Sequence, residues 1–246
     1  MGSELVLRAE MTLAELASQH PNTIPWLLQN HWDFYCGGAH DLKWACQTHE
    51  WEFEAFCQSL KKALQKPVGQ DELHYHRWEP HQIGELLDHL GQRYHEPHRD
   101  KFRQMTPLLN QAVEAHGESH RFLSDLKETV GALIADLQTH MGHEEQKLFP
   151  TIRSYSPDFQ GERSLLGRQD SLLMMETMRG VHEKAGLLIE KVRWLTDGFT
   201  PQVKGDLILG ALYPILEAFH RELRVHVHLE NNILFPYFEN MELSMS

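Results

Sequence analysis

Two stretches of the chain set an imidazole and a carboxylate four residues apart, His140 with Glu144 and His226 with Glu230. Residues i and i+4 stand one above the other on a helix face, so each pair can offer a nitrogen and an oxygen to one metal ion. Both pairs are followed by the same three residues, Leu148-Phe149-Pro150 and Leu234-Phe235-Pro236, so that both stretches read HxxxE-xxx-LFP. A His-Glu dipeptide lies upstream of each, His95-Glu96 and His182-Glu183. The halves are two copies of one helical hairpin.

Four imidazoles and two carboxylates facing inward are too many donors for a closed tetrahedral zinc site. Mixed nitrogen and carboxylate donors, with Glu able to bridge, suit a pair of iron or manganese ions with positions left open for a small ligand. A lone helical His is usually a surface residue or a hydrogen-bonded core residue, but a purely structural duplication would need only its apolar positions to match. Here the His and Glu match as well. The repeat also sorts the remaining histidines: His98 aligns with Ala185, His143 with Leu229 and His228 with Gly142. His228 is about 200° round the helix from His226 and so faces away from it, while His143, three residues after His140, is open to a surface role or one behind the ligands. His89, His116, His120 and His220 are expected on solvent faces. Glu96 and Glu183 recur but lie about 100° off the ligand stripe, which suits a place behind the ligands or at an entry channel.

Long helices must carry these residues. Apolar residues recur at three- and four-residue steps and no stretch alternates like a strand, so the chain reads as all-α. Four long helices are expected near 81–115, 119–149, 169–197 and 202–239, with Pro80 in a first turn, Ser119 as a cap and Gly117, Gly161 and Gly198 at breaks. Short connections make them an antiparallel four-helix bundle, with a kink or early stop expected at Pro97 and Pro107. Residues 12–66 hold shorter helical segments, one with the apolar stripe Trp51, Phe53, Phe56, Cys57, Leu60 and Leu64. The expected division is therefore a small helical domain over 1–66, a linker over 67–79 marked by Pro67 and Gly69, and the bundle over 80–246.

Composition narrows the setting. The 246 residues are 41% hydrophobic and 24% charged, enough to bury a core, and the net charge of −12 disfavours nucleic acid as a partner. Histidine is over-represented, with 18 copies. The longest apolar run, Leu207 to Leu216, is interrupted by Pro214 and is far short of the ~20 residues a membrane span requires. No secretory signal is visible at the start. Three cysteines without CxxC spacing, Cys36, Cys46 and Cys57, argue against a disulfide framework or a zinc ribbon. A cytoplasmic protein with reduced thiols is the expectation.

The motifs also resemble a known family. Residues 80–239 are similar to the hemerythrin-like di-iron domain of the bacterial iron-sulfur cluster repair proteins, the group called RIC, YtfE, ScdA or NorA. The likeness rests on Arg93-Tyr94-His95, His140xxxGlu144, His182-Glu183-Lys184-Ala185-Gly186 and His226xxxGlu230-Asn231-Asn232. Thr12-Leu13-Ala14-Glu15-Leu16 and Asp33-Phe34-Tyr35-Cys36-Gly37-Gly38 look like that family's N-terminal domain. The resemblance implies that His95, His140, His182 and His226 bind two non-haem irons bridged by Glu144 and Glu230, a set compatible with an oxo or hydroxo bridge. It implies a role in restoring iron-sulfur clusters damaged by nitric oxide or peroxide, with the damaged iron-sulfur proteins as clients. One departure stands out: the family has adjacent cysteines before Gly-Gly, and here Tyr35 takes the first place, leaving Cys36 alone for any redox or iron-transfer step. Cys36 is balanced between that role and a small residue near a turn, and Cys46 and Cys57 are expected in the core.

Three functional readings follow. The leading one is cluster repair by iron delivery or nitric oxide handling at the di-iron site. The second is a binding protein that senses or stores oxygen or nitric oxide without delivering iron, and the third is a di-iron nitric oxide reductase. A homodimer is compatible with the sequence, and the N-terminal unit is a candidate to mediate it, although no residue pattern there is strong enough to argue it.

Overall fold

Helix starts, stops and widenings in the chain follow from identifiable residues. The computed structural model describes residues 5–65, 75–156, 159, 168–203 and 205–244, so positions 67–74 of the expected linker lie outside the described residues. They divide into two units, residues 1–80 together with 227–237, and 81–226 together with 238–246.

In the first unit, helix α1 (Leu13–Gln19) opens on a capping box: the Thr12 hydroxyl accepts from the Glu15 amide, and the Glu15 carboxylate accepts from the Thr12 amide. Helix α2 (Ile24–Gln29) follows a tight turn begun by Pro21, and the Asp41 carboxylate caps α3 (Leu42–Thr48). Helix α4 (Phe53–Leu64) buries Phe56, Cys57 and Leu60 of its expected stripe. The core is aromatic, with the Trp26, Trp32 and Phe56 ring centroids 4.9 to 5.9 Å apart.

The remaining helices are α5 (Ile83–Leu90), α6 (Glu96–His116), α7 (Phe122–His143), α8 (Phe149–Arg153), α9 (Arg168–Leu195), α10 (Leu207–Leu229) and α11 (Phe235–Ser244). They make the expected four long rods, because α5 runs into α6, α7 into α8 and α10 into α11 through single π-helical turns, Gly91–His95, Glu144–Leu148 and Glu230–Leu234. Helix α7 packs against α6 and α9. Leu126, Leu133, Leu137 and Met141 of α7, Met105 of α6 and Ile189 and Val192 of α9 are buried. Each contributes roughly 1.5–3 kcal/mol when fully removed from water. The architecture is all-α, and no strand occurs among the described residues.

Two expectations need correction. The second rod starts at Phe122, and Ser119 does not cap it: its hydroxyl donates to the His116 carbonyl and meets His120 Nδ1 instead. Proline also acts differently from a simple stop. Pro97, Pro150 and Pro236 each come two residues after a π turn ends. A proline ring clashes with the carbonyl four residues back, here that of Arg93, Gln146 or Asn232. Widening the turn before it relieves this, and the Glu96, Phe149 and Phe235 amides each donate to the carbonyl five residues earlier. Pro107 and Pro214 sit inside helices with no such turn, so proline alone is not sufficient.

Candidate metal centre

The π turns carry three of the six residues singled out from the sequence. His95 closes the first, Glu144 opens the second and Glu230 opens the third. His140 and His226 lie one helical turn before their glutamates, and His182 projects from α9. All six side chains are buried. They gather in two groups, one of His95, Glu144, His226 and Glu230 and one of His140, Glu144, His182 and Glu230. Within each, one ligand atom per residue lies within 4.8 Å of the others. Both carboxylates are common to both groups.

The spacing of the donor atoms fits a cation in each group. His95 Nε2 lies 3.2 Å from His226 Nε2, and His140 Nε2 lies 3.0 Å from His182 Nε2. Two nitrogens at adjacent corners of an octahedron, each about 2.1 Å from the ion at its centre, would be about 3.0 Å apart. Glu144 points its oxygens in different directions, Oε1 to 3.1 Å from His140 Nε2 and Oε2 to 3.5 Å from His95 Nε2. Neither oxygen has a hydrogen bond among the described residues, although the side chain is sealed from water. Burying two carboxylates among imidazoles is costly without positive charge beside them. The donor set fits divalent ions of the iron or manganese kind.

The ligands are themselves held. Glu145 Oε1 lies 2.9 Å from His95 Nδ1, leaving the ring's Nε2 to face the centre. Arg99 grips the same carboxylate with both terminal nitrogens, each at 2.9 Å. Burial raises the Glu145 carboxyl, but the hydrogen bonds from Arg99 and His95 outweigh that and hold it below its ordinary range. Phe149 stacks on His95 and Tyr94 on His226. Sequence spacing missed Glu145 and Arg99 because the counterpart of Glu145 in the repeat is Asn231, and Arg99 reaches it from another rod.

The family model for the Hemerythrin HHE cation binding domain matches residues 89–238. The chain belongs to this hemerythrin family. It is also 27% identical over 227 residues to the proteins named iron-sulfur cluster repair protein YtfE from Salmonella newport and Salmonella gallinarum, covering 92% of this chain and 96% of theirs. No helix among the described residues is long and apolar enough to cross a membrane.

Other histidines of the hemerythrin domain are placed less simply than the repeat suggested. His220, expected on a solvent face, is buried and bonds Glu190 Oε1 at 2.9 Å. His116 is half-buried, 2.6 Å from Asp206. His98 is buried beside His226 and Phe219, while His143, Glu96 and Glu183 are exposed. Glu96 lines a cavity of about 630 Å³ together with Arg99 and Glu145, and His143 lines one of about 400 Å³ that reaches His140.

In the first unit, His228 turns away from His226 as expected and packs against the Phe34 ring, with Asn232 Nδ2 3.0 Å from its Nδ1. The Asn232 amide also donates to the Phe34 carbonyl at 2.9 Å, and the Asn231 amide to the Tyr35 carbonyl at 3.2 Å. These bonds give Asn231-Asn232 and Phe34-Tyr35 a shared purpose. Gly38 must lack a side chain, since a Cβ there would lie 2.7 Å from Asn232 Oδ1. Cys36, on the turn between them, is half-buried and donates its amide to Asp33 Oδ1. Cys46 and Cys57 are buried, and burial pushes the Cys46 thiol up to about 11, which keeps it protonated.

Proposed function

We propose that this hemerythrin-family chain is a cytoplasmic, non-haem di-iron protein that helps to repair iron-sulfur clusters damaged by nitrosative or oxidative stress. The observation that carries the reading is the sharing of Glu144 and Glu230 between two groups of buried imidazoles. His95 and His226 would hold one iron, His140 and His182 the other, and the two glutamates would bridge them. The bound pair would supply open coordination positions for nitric oxide or oxygen, and exchangeable iron for a damaged client. The chain's own part is to fix the six ligands: Glu145 and Arg99 orient His95, and the buried setting keeps water from competing for the carboxylates. The names of the YtfE relatives support the repair role, and their likeness extends over 92% of the chain.

Two measurements test the proposal. Protein expressed without a histidine tag should carry about two irons per chain, the number the two donor groups imply, and Glu144→Ala or Glu230→Ala should lose them. Added to a nitric-oxide-damaged cluster enzyme, the loaded protein should restore activity beyond what free iron restores; equal rescue by free iron overturns the repair role.

A second reading has its own observation. Tyr35 stands where the family has a cysteine, so Cys36 lacks an adjacent thiol for a disulfide step. This favours a protein that binds or senses oxygen or nitric oxide and keeps its iron. Iron retained through many binding cycles, with no transfer to an apo-cluster protein, would select it over delivery. Sustained nitrous oxide production with an electron donor would instead mark a reductase.

A further inference from the structure

The larger cavity of the hemerythrin domain, about 630 Å³, is lined by none of the six candidate metal ligands. Its volume lies within the roughly 300–1,000 Å³ of small-molecule sites. Leu87, Phe149 and Pro150 give it an apolar wall, and Glu96, Arg99 and Arg153 bring charge to it. Helix α6 presents Glu96 and Arg99 three residues apart, hence on one face, and α8 carries Arg153 one helical turn beyond Phe149. The two guanidiniums are engaged on one side only. Arg99 gives two of its five N–H groups to Glu145, and Arg153 gives two to Asp88. The other three on each have no protein partner among the described residues, and Glu96 has no cation beside it there.

These groups complement a ligand that carries both charges. Three lining carboxylates, Asp88, Glu96 and Glu145, repel a plain anion, and the two guanidiniums repel a plain cation. An α-amino acid satisfies both, with its ammonium on Glu96, its carboxylate on Arg99 and Arg153, and an apolar side chain against the Phe149 wall. The cavity also touches the metal centre at one remove. Arg99 and Glu145 are the clamp on His95 Nδ1. A ligand carboxylate on Arg99 competes with Glu145 for its charge and loosens that clamp, so filling the cavity and holding metal at His95 are linked, each acting on the other.

We propose that this cavity binds a free α-amino acid with an apolar side chain, and that its occupancy loosens the hold of His95 on metal, a link that rests on the di-iron reading. The experiment is titration calorimetry of the full-length protein with L-phenylalanine and with two truncated probes, 3-phenylpropanoate and 2-phenylethylamine. Phenylalanine binds at about one molecule per chain, and each probe, lacking one charge, binds about tenfold more weakly. Glu96→Gln and Arg153→Gln, neither of which touches His95, lower the phenylalanine affinity by about the same factor, with helicity by circular dichroism unchanged. Saturating phenylalanine also speeds the transfer of iron to a chromophoric chelator in the wild type and not in Arg153→Gln. No binding of phenylalanine, probes that bind as tightly as phenylalanine, or binding unmoved by both substitutions overturns the site. An unchanged rate of iron transfer overturns the link to His95. The calorimetry needs no metal, so a chain without iron that still binds phenylalanine overturns the di-iron reading and with it the link, but not the site.

Discussion

Glu145 shows how a residue outside the ligand set can govern it. Its bond to His95 Nδ1 and its two bonds from Arg99 fix one imidazole's tautomer and angle. Outer partners of this kind are worth about 10–100-fold in metal affinity. Glu145→Ala should therefore weaken metal binding by about that factor, read by competition with a chromophoric chelator, whereas removing the exposed Glu183 should leave affinity unchanged. The sequence singles out His140, Glu144, His226 and Glu230 by a helical spacing repeated in both halves, and His95 and His182 by the His-Glu dipeptide that recurs upstream. Glu145 was not legible there, since its role depends on His95 and Arg99 coming close in three dimensions, fifty and forty-six residues away. Likewise His220 looked like a surface residue until α9 brought Glu190 against it.

At the scale of elements, the long helices were legible from apolar periodicity and the π turns were not. Leu-Phe-Pro looks like the end of a helix, yet the helix survives by widening one turn earlier, at the residue that faces the centre. The loop from Asp33 to Gly38 gives the sharpest test of local packing. Gly38→Ala places a Cβ 2.9 Å from the Phe34 carbonyl and still closer to Asn232, so one of them must move. The expected cost is about 1–3 kcal/mol by denaturant unfolding. Asn232→Ala frees that space, so the double variant should lose less than the sum of the two single ones.

For the molecule as a whole, residues 227–237 group with residues 1–80 through contacts nearly two hundred residues apart in sequence. No local pattern encodes a pairing that distant. Metal and pH should act on stability together. Stripping metal leaves two buried carboxylates uncompensated, so a chelator should lower the thermal midpoint. Acid should act through His220 and Glu190. Burial lowers His220 below its ordinary 6.5, and the Glu190 hydrogen bond opposes this without cancelling it. The unfolded chain then takes up the proton first, and stability declines as pH falls below 6.5. Burial raises Glu190, but bonds from His220 and Arg193 bring it down to about 2 from an ordinary 4.5. Its contribution is complete above 4.5 and drains away toward 2. Denaturant midpoints should fall across this whole range, and Glu190→Gln should flatten the part below 4.5. The π turns have one more consequence. Counted along the chain, each is an α-helix with a single residue inserted, and the insertion before Leu-Phe-Pro occurs in both halves. A change present in both copies of a duplicated segment is older than the duplication, so the widened turn at the glutamate belonged to an ancestral hairpin that had to pair with another like itself to bring two such glutamates together.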